Sequence, residues 1–75
     1  MVERELLWEA DAERELFALP PSEAERLADA LEQFAKTGQG FVRDVGGGYR
    51  LYVKGAAAEI AVETDRIRVL RVIRR

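Results

Sequence analysis

The hydrophobic pattern of this chain changes its period at Gly40, and that change constrains the fold more than any other feature of the sequence. Before Gly40, apolar residues recur at intervals of three and four, as they do in amphipathic helices. After Gly40, they alternate with polar residues in short segments separated by turn residues, as they do in strands. The sequence therefore predicts one α+β domain over residues 1–75, with helices in its first half and a sheet in its second.

Two helices are predicted before Gly40. The clearer one lies between Pro21 and Gly38, where Ser22 and Glu25 match a capping box at the start. Gly38 suits a left-handed cap at the end. A helix over Asp11 to Leu19 precedes it and ends at the two prolines, which cannot donate backbone hydrogen bonds. Because the connection is so short, we expect the helices to form an antiparallel hairpin.

Four strands joined by tight turns are predicted after Gly40. Parallel strands would need much longer crossovers, so we expect an antiparallel meander. Residues 2–8 fit either a strand or an extension of the first helix, and we favour the strand. The expected fold is an N-terminal strand and a helical hairpin packed on a curled four-stranded antiparallel meander. The meander strands are predicted at Phe41–Val45, Tyr49–Lys54, Ala57–Glu63 and Arg66–Ile73, with turns at 46–48, 55 and 64–65.

The chain contains no histidine and no cysteine, which excludes disulfides, Cys/His zinc sites, thiol nucleophiles and imidazole catalysis. Proton transfer would have to use carboxylates, lysine or tyrosine. The carboxylates Glu25, Asp29 and Glu32 stack along the second helix, but a solvated helix face explains them better than a metal site. No cofactor is implied. Neither a membrane-spanning apolar run nor a signal-peptide pattern is present, so we expect a cytoplasmic protein.

Charge is distributed unevenly along the chain. Residues 1–40 carry four basic and ten acidic side chains, whereas residues 41–75 carry eight basic and four acidic ones. The second half is therefore the part suited to a polyanion or an acidic partner. Within it, alternation places Arg50, Tyr52 and Lys54 on one face of a strand, where they can pair with phosphates and stack a base. The alternative is a solvated face on which these cations pair with Glu59 and Glu63.

The residues and the order of elements together resemble the RelE/ParE superfamily of toxins from toxin–antitoxin pairs. The resemblance is carried by the segments 8–20, 49–55 and 67–75 and by the strand–helix–helix–meander layout, and it covers nearly the whole chain. It implies a compact domain that cuts messenger RNA in the ribosomal A site or, in the ParE branch, inhibits DNA gyrase. It also implies an antitoxin protein as partner.

Site residues follow from this resemblance position by position. Arg50 and Lys54 match basic residues of RelE-like nucleases, and Arg75 matches the arginine that closes the last strand. These three are the candidate catalytic residues, and the candidate RNA-binding residues are Arg43, Tyr52, Arg71 and Arg74.

Two departures from the family pattern bear on activity. Ala58-Glu59 stands where the family usually has an aromatic residue followed by arginine, and the sequence ends at Arg75, before the segment that carries a catalytic tyrosine in ribosome-dependent enzymes. An added carboxylate opposes stabilisation of a cleaving phosphate. On this resemblance we expect an incomplete set of catalytic groups.

Three functional hypotheses therefore stand after the sequence. The first is a RelE/ParE-like toxin whose basic face meets RNA or the ribosome and inhibits translation, with or without endoribonuclease activity. The second is a catalytically silent module with the same fold that binds a partner polypeptide through its sheet. The third is a gyrase inhibitor of the ParE type, which needs no nuclease residues.

Overall fold

A computed structural model describes residues 3–75 of the chain. It contains a five-stranded sheet and two helices. The elements are β1 (Glu5–Trp8), α1 (Ala10–Phe17), α2 (Pro21–Thr37), β2 (Val42–Asp44), β3 (Tyr49–Val53), β4 (Ala56–Val62) and β5 (Arg66–Arg74). The bounds of the four meander strands lie within one residue of the predicted ones. They pair antiparallel in sequence order, as predicted.

The prediction of a four-stranded antiparallel sheet is wrong, because β1 joins the sheet as a fifth strand. The strand order is β1-β5-β4-β3-β2, and β1 pairs parallel to β5 with Leu6 opposite Ile67 and Trp8 opposite Val69. The strand β5 is apolar on both faces and lies in the interior of the sheet, where its outer edge needs a partner. Local periodicity predicts a strand at the N terminus but not where it pairs. Val2, the predicted start of this strand, lies outside the described residues.

Both helices pack on one face of the sheet and form the hydrophobic core with it. The helix α1 contacts β5, and α2 contacts β1, β3 and β4. Leu27 and Leu31 of α2 are fully buried against Leu51 of β3 and Ile60 of β4. The opposite face of the sheet, called the open face below, is not covered by either helix.

The capping box predicted at Ser22 and Glu25 is wrong. The N-cap lies two residues earlier, at Pro20, so that the helix α2 begins at Pro21, and no side chain caps it. Proline suits the first helical position because its fixed φ is already helical and its missing N–H would have no partner there. Ser22 is therefore inside the helix. At the other end, Gly38 is left-handed with φ of 77°, as predicted, and its N–H bonds to the carbonyl of Phe34.

The helix α1 is shorter than predicted, because it ends at Phe17 and not at Leu19. Leu19 is nevertheless buried in the core from the connection between the helices. The last strand also contains an irregularity that alternation did not predict. Its register against β4 shifts between Glu59 and Ile60, so that Leu70 has no direct partner. This bulge lets Val69 and Val72, three residues apart, both face the core.

Candidate functional site

The open face of the sheet carries the predicted basic side chains because the pleat alternates along β3. Leu51 is fully buried against the helices, so its neighbours Arg50 and Tyr52 face the other way. The pairing of Arg43 with Arg50 places Arg43 of β2 on the same face. The hydrophobic pattern of a single strand thus orients the cations toward the surface that the helices leave uncovered.

A groove of about 460 Å³ lies on the open face at the β2 side of the sheet. It is lined by three cations, two aromatic rings and one valine: Arg43, Lys54, Arg75, Phe41, Tyr52 and Val53. Phe41 and Tyr52 meet edge to face, with ring centroids 6.2 Å apart and an interplanar angle of 81°. The groove therefore combines positive charge with aromatic surface.

Arg75 is held in the groove by three separate contacts. Its backbone N–H bonds to the carbonyl of Gly55 at 3.0 Å, and its Nη1 donates to the carbonyl of Val53 at 2.9 Å. Its guanidinium carbon lies 5.1 Å from the centroid of the Tyr52 ring, in a cation–π contact. These contacts fix the cation without neutralising it, because both hydrogen-bond acceptors are uncharged carbonyls.

The positive charge of the groove cations is not offset by acidic partners in the described chain. Within residues 3–75, neither Arg43, Lys54 nor Arg75 forms an ion pair with a carboxylate. Most of the other arginines of the second half do form such pairs, Arg66 with Glu63 and Asp65 among them. The groove is therefore the part of the open face with uncompensated positive charge.

Arg50, a candidate catalytic residue, lies on the open face but does not line the groove. Its Nη2 donates to Oε2 of Glu59 at 2.7 Å, across the β3–β4 pair, and both side chains are about one-third exposed. The Glu59 carboxylate, followed by the Tyr52 hydroxyl, raises the pKa of Arg50 further above its ordinary value. The predicted alternative, in which strand cations pair with neighbouring glutamates, therefore holds for Arg50.

Arg71, a candidate RNA-binding residue, is also paired. It lies opposite Glu59 in the β4–β5 register, but its guanidinium donates to both carboxylate oxygens of Glu15 on α1, at 2.7–3.1 Å. The same carboxylate accepts the backbone N–H of Val72 at 2.9 Å. The Arg71 and Val72 hydrogen bonds lower the pKa of Glu15. Glu15 thus closes the outer edge of β5 beyond the point where its pairing with β1 ends.

The structure groups four of the seven predicted site residues in the groove: Arg43, Tyr52, Lys54 and Arg75. Arg50 and Arg71 lie in ion pairs beside it. Arg74 is exposed and pairs in register with the core residue Ala56, so alternation places it on the helix side of the sheet. Phe41 lines the groove and was not predicted. Its signal in the sequence was an aromatic residue two positions before Arg43, where alternation of the extended chain puts both side chains on one face.

Residues 3–75 contain no cluster of three or more acidic side chains with the geometry of a metal site. Glu25, Asp29 and Glu32 are each exposed on α2. No helix of the described chain is long and apolar enough to cross a membrane.

Comparisons with known proteins give structural matches only. No family model matches the sequence, and no curated protein matches it. The fold is similar to that of a chain in the toxin–antitoxin complex RelBE2 from Mycobacterium tuberculosis, with a TM-score of 0.69, 20% identity and coverage of 100% of this chain and 94% of that one. It is also similar to a chain in the RelB–RelE antitoxin–toxin complex from Methanococcus jannaschii, with a TM-score of 0.74, 20% identity and coverage of 91% and 88%.

These matches agree with the predicted α+β class of the fold. At 20% identity they describe the fold alone. The groove and the charges around it therefore carry the information about function.

Proposed function

We propose that this chain is the toxin component of a toxin–antitoxin system of the RelE/ParE type, and that it acts on RNA or the ribosome to inhibit translation. The groove carries the proposal, because three cations without acidic partners line it beside two aromatic rings. Single-stranded RNA offers both phosphates for such cations and unpaired bases for such rings. The likeness to chains of two RelB–RelE type complexes supports the choice of a toxin–antitoxin system.

The groove suits binding of RNA better than its cleavage. Arg43, Lys54 and Arg75 can neutralise phosphate oxygens, and Lys54 and Arg75 can stabilise the negative charge that develops on a phosphate under attack. Cleavage also requires a group that removes the proton of the attacking 2′-hydroxyl. The carboxylate of Glu59 is a base of that kind on the same face, but Arg50 holds it in an ion pair. The proposal therefore rests on binding, and endoribonuclease activity is a separate step.

A catalytically silent interaction module is the second candidate, and the ion pair of Arg50 with Glu59 favours it. This pair neutralises one of the three candidate catalytic residues. The strand β2 also leaves one edge of the sheet without a neighbouring strand in the described chain, and an open edge can pair with a partner polypeptide. Both solved neighbours come from complexes of an antitoxin with a toxin, which supports a protein partner for this chain too.

Induced expression in bacteria tests the proposal. We would compare the wild type with the double variant Lys54→Ala, Arg75→Ala and with the control double variant Arg14→Ala, Arg66→Ala. The control removes the same charge from two exposed arginines outside the groove, whose ion pairs contribute little to stability. Growth and the incorporation of labelled methionine and labelled thymidine are measured, and circular dichroism confirms that each purified variant is folded.

The proposal predicts that the wild type and the control stop methionine incorporation and growth, and that the groove variant does neither. Arrest that survives the groove substitutions would contradict the proposal. If thymidine incorporation then falls first, the result would favour the gyrase inhibitor. No arrest with any variant would favour the silent interaction module.

A further inference from the structure

Phe41 is an exposed aromatic ring at the rim of the groove. It lies just before β2, at the outer edge of the sheet, and its side chain is 69% exposed. The contact with Tyr52 orients its ring, and the backbone N–H of Tyr52 bonds to the carbonyl of Phe41 at 2.9 Å. The ring thus has one aromatic contact inside the groove and leaves most of its surface open to solvent.

Tyr52, which the sequence singled out for stacking, is less available than Phe41. One face of its ring is covered by the guanidinium of Arg75. The ring is also in an edge-to-face contact with Phe41. Tyr52 is half-buried as a result. Of the two aromatic rings in the groove, Phe41 is therefore the one that can receive a further planar group.

Phe41 and Arg43 are close enough in the groove for one nucleotide to contact both. Phe41 lies directly before β2 and Arg43 lies two positions later within it, and both line the same groove. Two residues of extended strand span about 6.6 Å. A nucleotide whose base lies on Phe41 can therefore reach Arg43 with its phosphate, and Lys54 and Arg75 line the same groove as cations for a neighbouring phosphate.

We propose that Phe41 forms a base-stacking subsite for an unpaired nucleotide of single-stranded RNA, with Arg43 binding the phosphate of that nucleotide. This inference rests on the proposed function and adds that tight binding requires a nucleobase as well as phosphates. A duplex cannot use the subsite, because its bases are already stacked on one another. Stacking on an aromatic ring accepts any base, so the subsite selects for single strands and not for a sequence.

A pair of oligonucleotides separates stacking from charge. Fluorescence anisotropy measures the binding of a labelled pentanucleotide of RNA and of a five-unit abasic strand with the same number of phosphates. Stacking of one base changes affinity by a factor of about five or more. We expect the wild type to prefer the RNA by at least about fivefold, since only the RNA can place a base on Phe41.

Three variants locate the effect. Phe41→Leu keeps an apolar side chain but removes the ring, so the preference for RNA should disappear while binding of the abasic strand stays unchanged. Phe41→Trp should keep the preference. Phe17→Leu is the matched control, because Phe17 is 77% exposed on α1 and does not line the groove, and it should behave as the wild type.

The possible failures are distinguishable. Equal binding of both strands to the wild type would overturn the stacking subsite but leave the RNA-binding groove standing. A preference for RNA that persists in Phe41→Leu would also overturn it, because the stacking surface would then lie elsewhere. Binding of neither strand would contradict the proposed function itself.

Discussion

The guanidinium of Arg50 donates a 2.7 Å hydrogen bond to the carboxylate of Glu59, directly across the antiparallel strands β3 and β4. The register continues this row in both directions, with Arg43 opposite Arg50 and Arg71 opposite Glu59. Glu59 is thus the one acid in a row of three arginines on the open face, and Arg71 is drawn away from it by Glu15. Two carboxylates therefore offset the charge of two of the three arginines in this row, and Arg43 is left without an acidic partner in the described chain.

Removal of the Glu59 charge should strengthen RNA binding. In Glu59→Gln, Arg50 loses its ion-pair partner and becomes free to meet a phosphate. We expect higher affinity and a salt dependence steeper by about 0.7 in the slope of log K against log salt, since one more phosphate is neutralised. Glu59→Arg, which adds a cation, should bind more strongly still. A salt titration with a single-stranded oligonucleotide measures both.

Glu63→Gln is the matched control for this prediction. Glu63 follows β4 directly, and its substitution by glutamine removes the same negative charge as Glu59→Gln. The ion-pair partners of Glu63 are Arg66 and Arg68, which lie far along the sheet from the groove. If the two glutamine variants gain affinity equally, the gain reflects net charge alone and the assignment of Arg50 to the RNA-binding face is contradicted.

Glu15 should stabilise the fold at neutral pH and lose that effect in acid. Hydrogen bonds from Arg71 and from the Val72 N–H lower the pKa of Glu15 in the folded state. A lowered folded pKa gives stability that is present above the unfolded pKa of about 4.3 and is lost as the pH falls through the folded value. Glu15→Gln should therefore lower the melting temperature at pH 7, and the difference from the wild type should shrink as the pH falls below about 4.

The control for Glu15 is Glu13→Gln, on the same helix. Glu13 is exposed and forms no ion pair within residues 3–75. The melting temperature of the Glu13→Gln variant should equal that of the wild type at every pH. A pH-independent loss in Glu15→Gln would show that packing, and not the carboxylate charge, is what Glu15 contributes.

Gly55 should resist substitution for two reasons that can be separated. It has a φ of +89°, and a Cβ there would lie 2.7 Å from Oε1 of Glu23. Gly47 has a similar φ of +92° with no atom within 4 Å of such a Cβ. Gly47→Ala therefore isolates the backbone strain, about 1 kcal/mol, and Gly55→Ala should cost more than that in urea unfolding.

A double variant tests the steric contact with Glu23. In Gly55→Ala, Glu23→Ala, the side chain that the new Cβ would displace is absent. The excess cost over Gly47→Ala should then vanish in a double-mutant cycle. Additive effects of the two substitutions would contradict the contact between Glu23 and the β3–β4 turn.

The local pattern was sufficient to predict most of the elements. The period of two after Gly40 gave all four meander strands, and the run of apolar residues at helical spacing gave α2 up to its glycine cap. The partner of β1 was not predictable in the same way. Leu6 and Trp8 are separated from Ile67 and Val69 by about sixty residues, and pairing over that distance is decided by the completed core.

In the candidate site too, relations within one strand were predictable and relations between elements were not. The alternation along β3 predicted that Arg50 and Tyr52 share a face, and they do. Which cation is neutralised depends on cross-strand register and on helix packing, since Glu59 lies on β4 and Glu15 on α1. The exposure of Phe41 likewise depends on its place at the sheet edge. These relations appear only when the strands are assembled.

The most direct test of the central claim is a salt titration of the wild type with single-stranded RNA. Three groove cations predict a slope near −2 in log K against log salt, from about −0.7 for each neutralised phosphate. Arg43→Ala, Lys54→Ala and Arg75→Ala should each reduce the slope by about 0.7, whereas Arg14→Ala should leave it unchanged. Absence of binding, or a slope that the groove substitutions do not alter, would contradict the assignment of the groove to RNA.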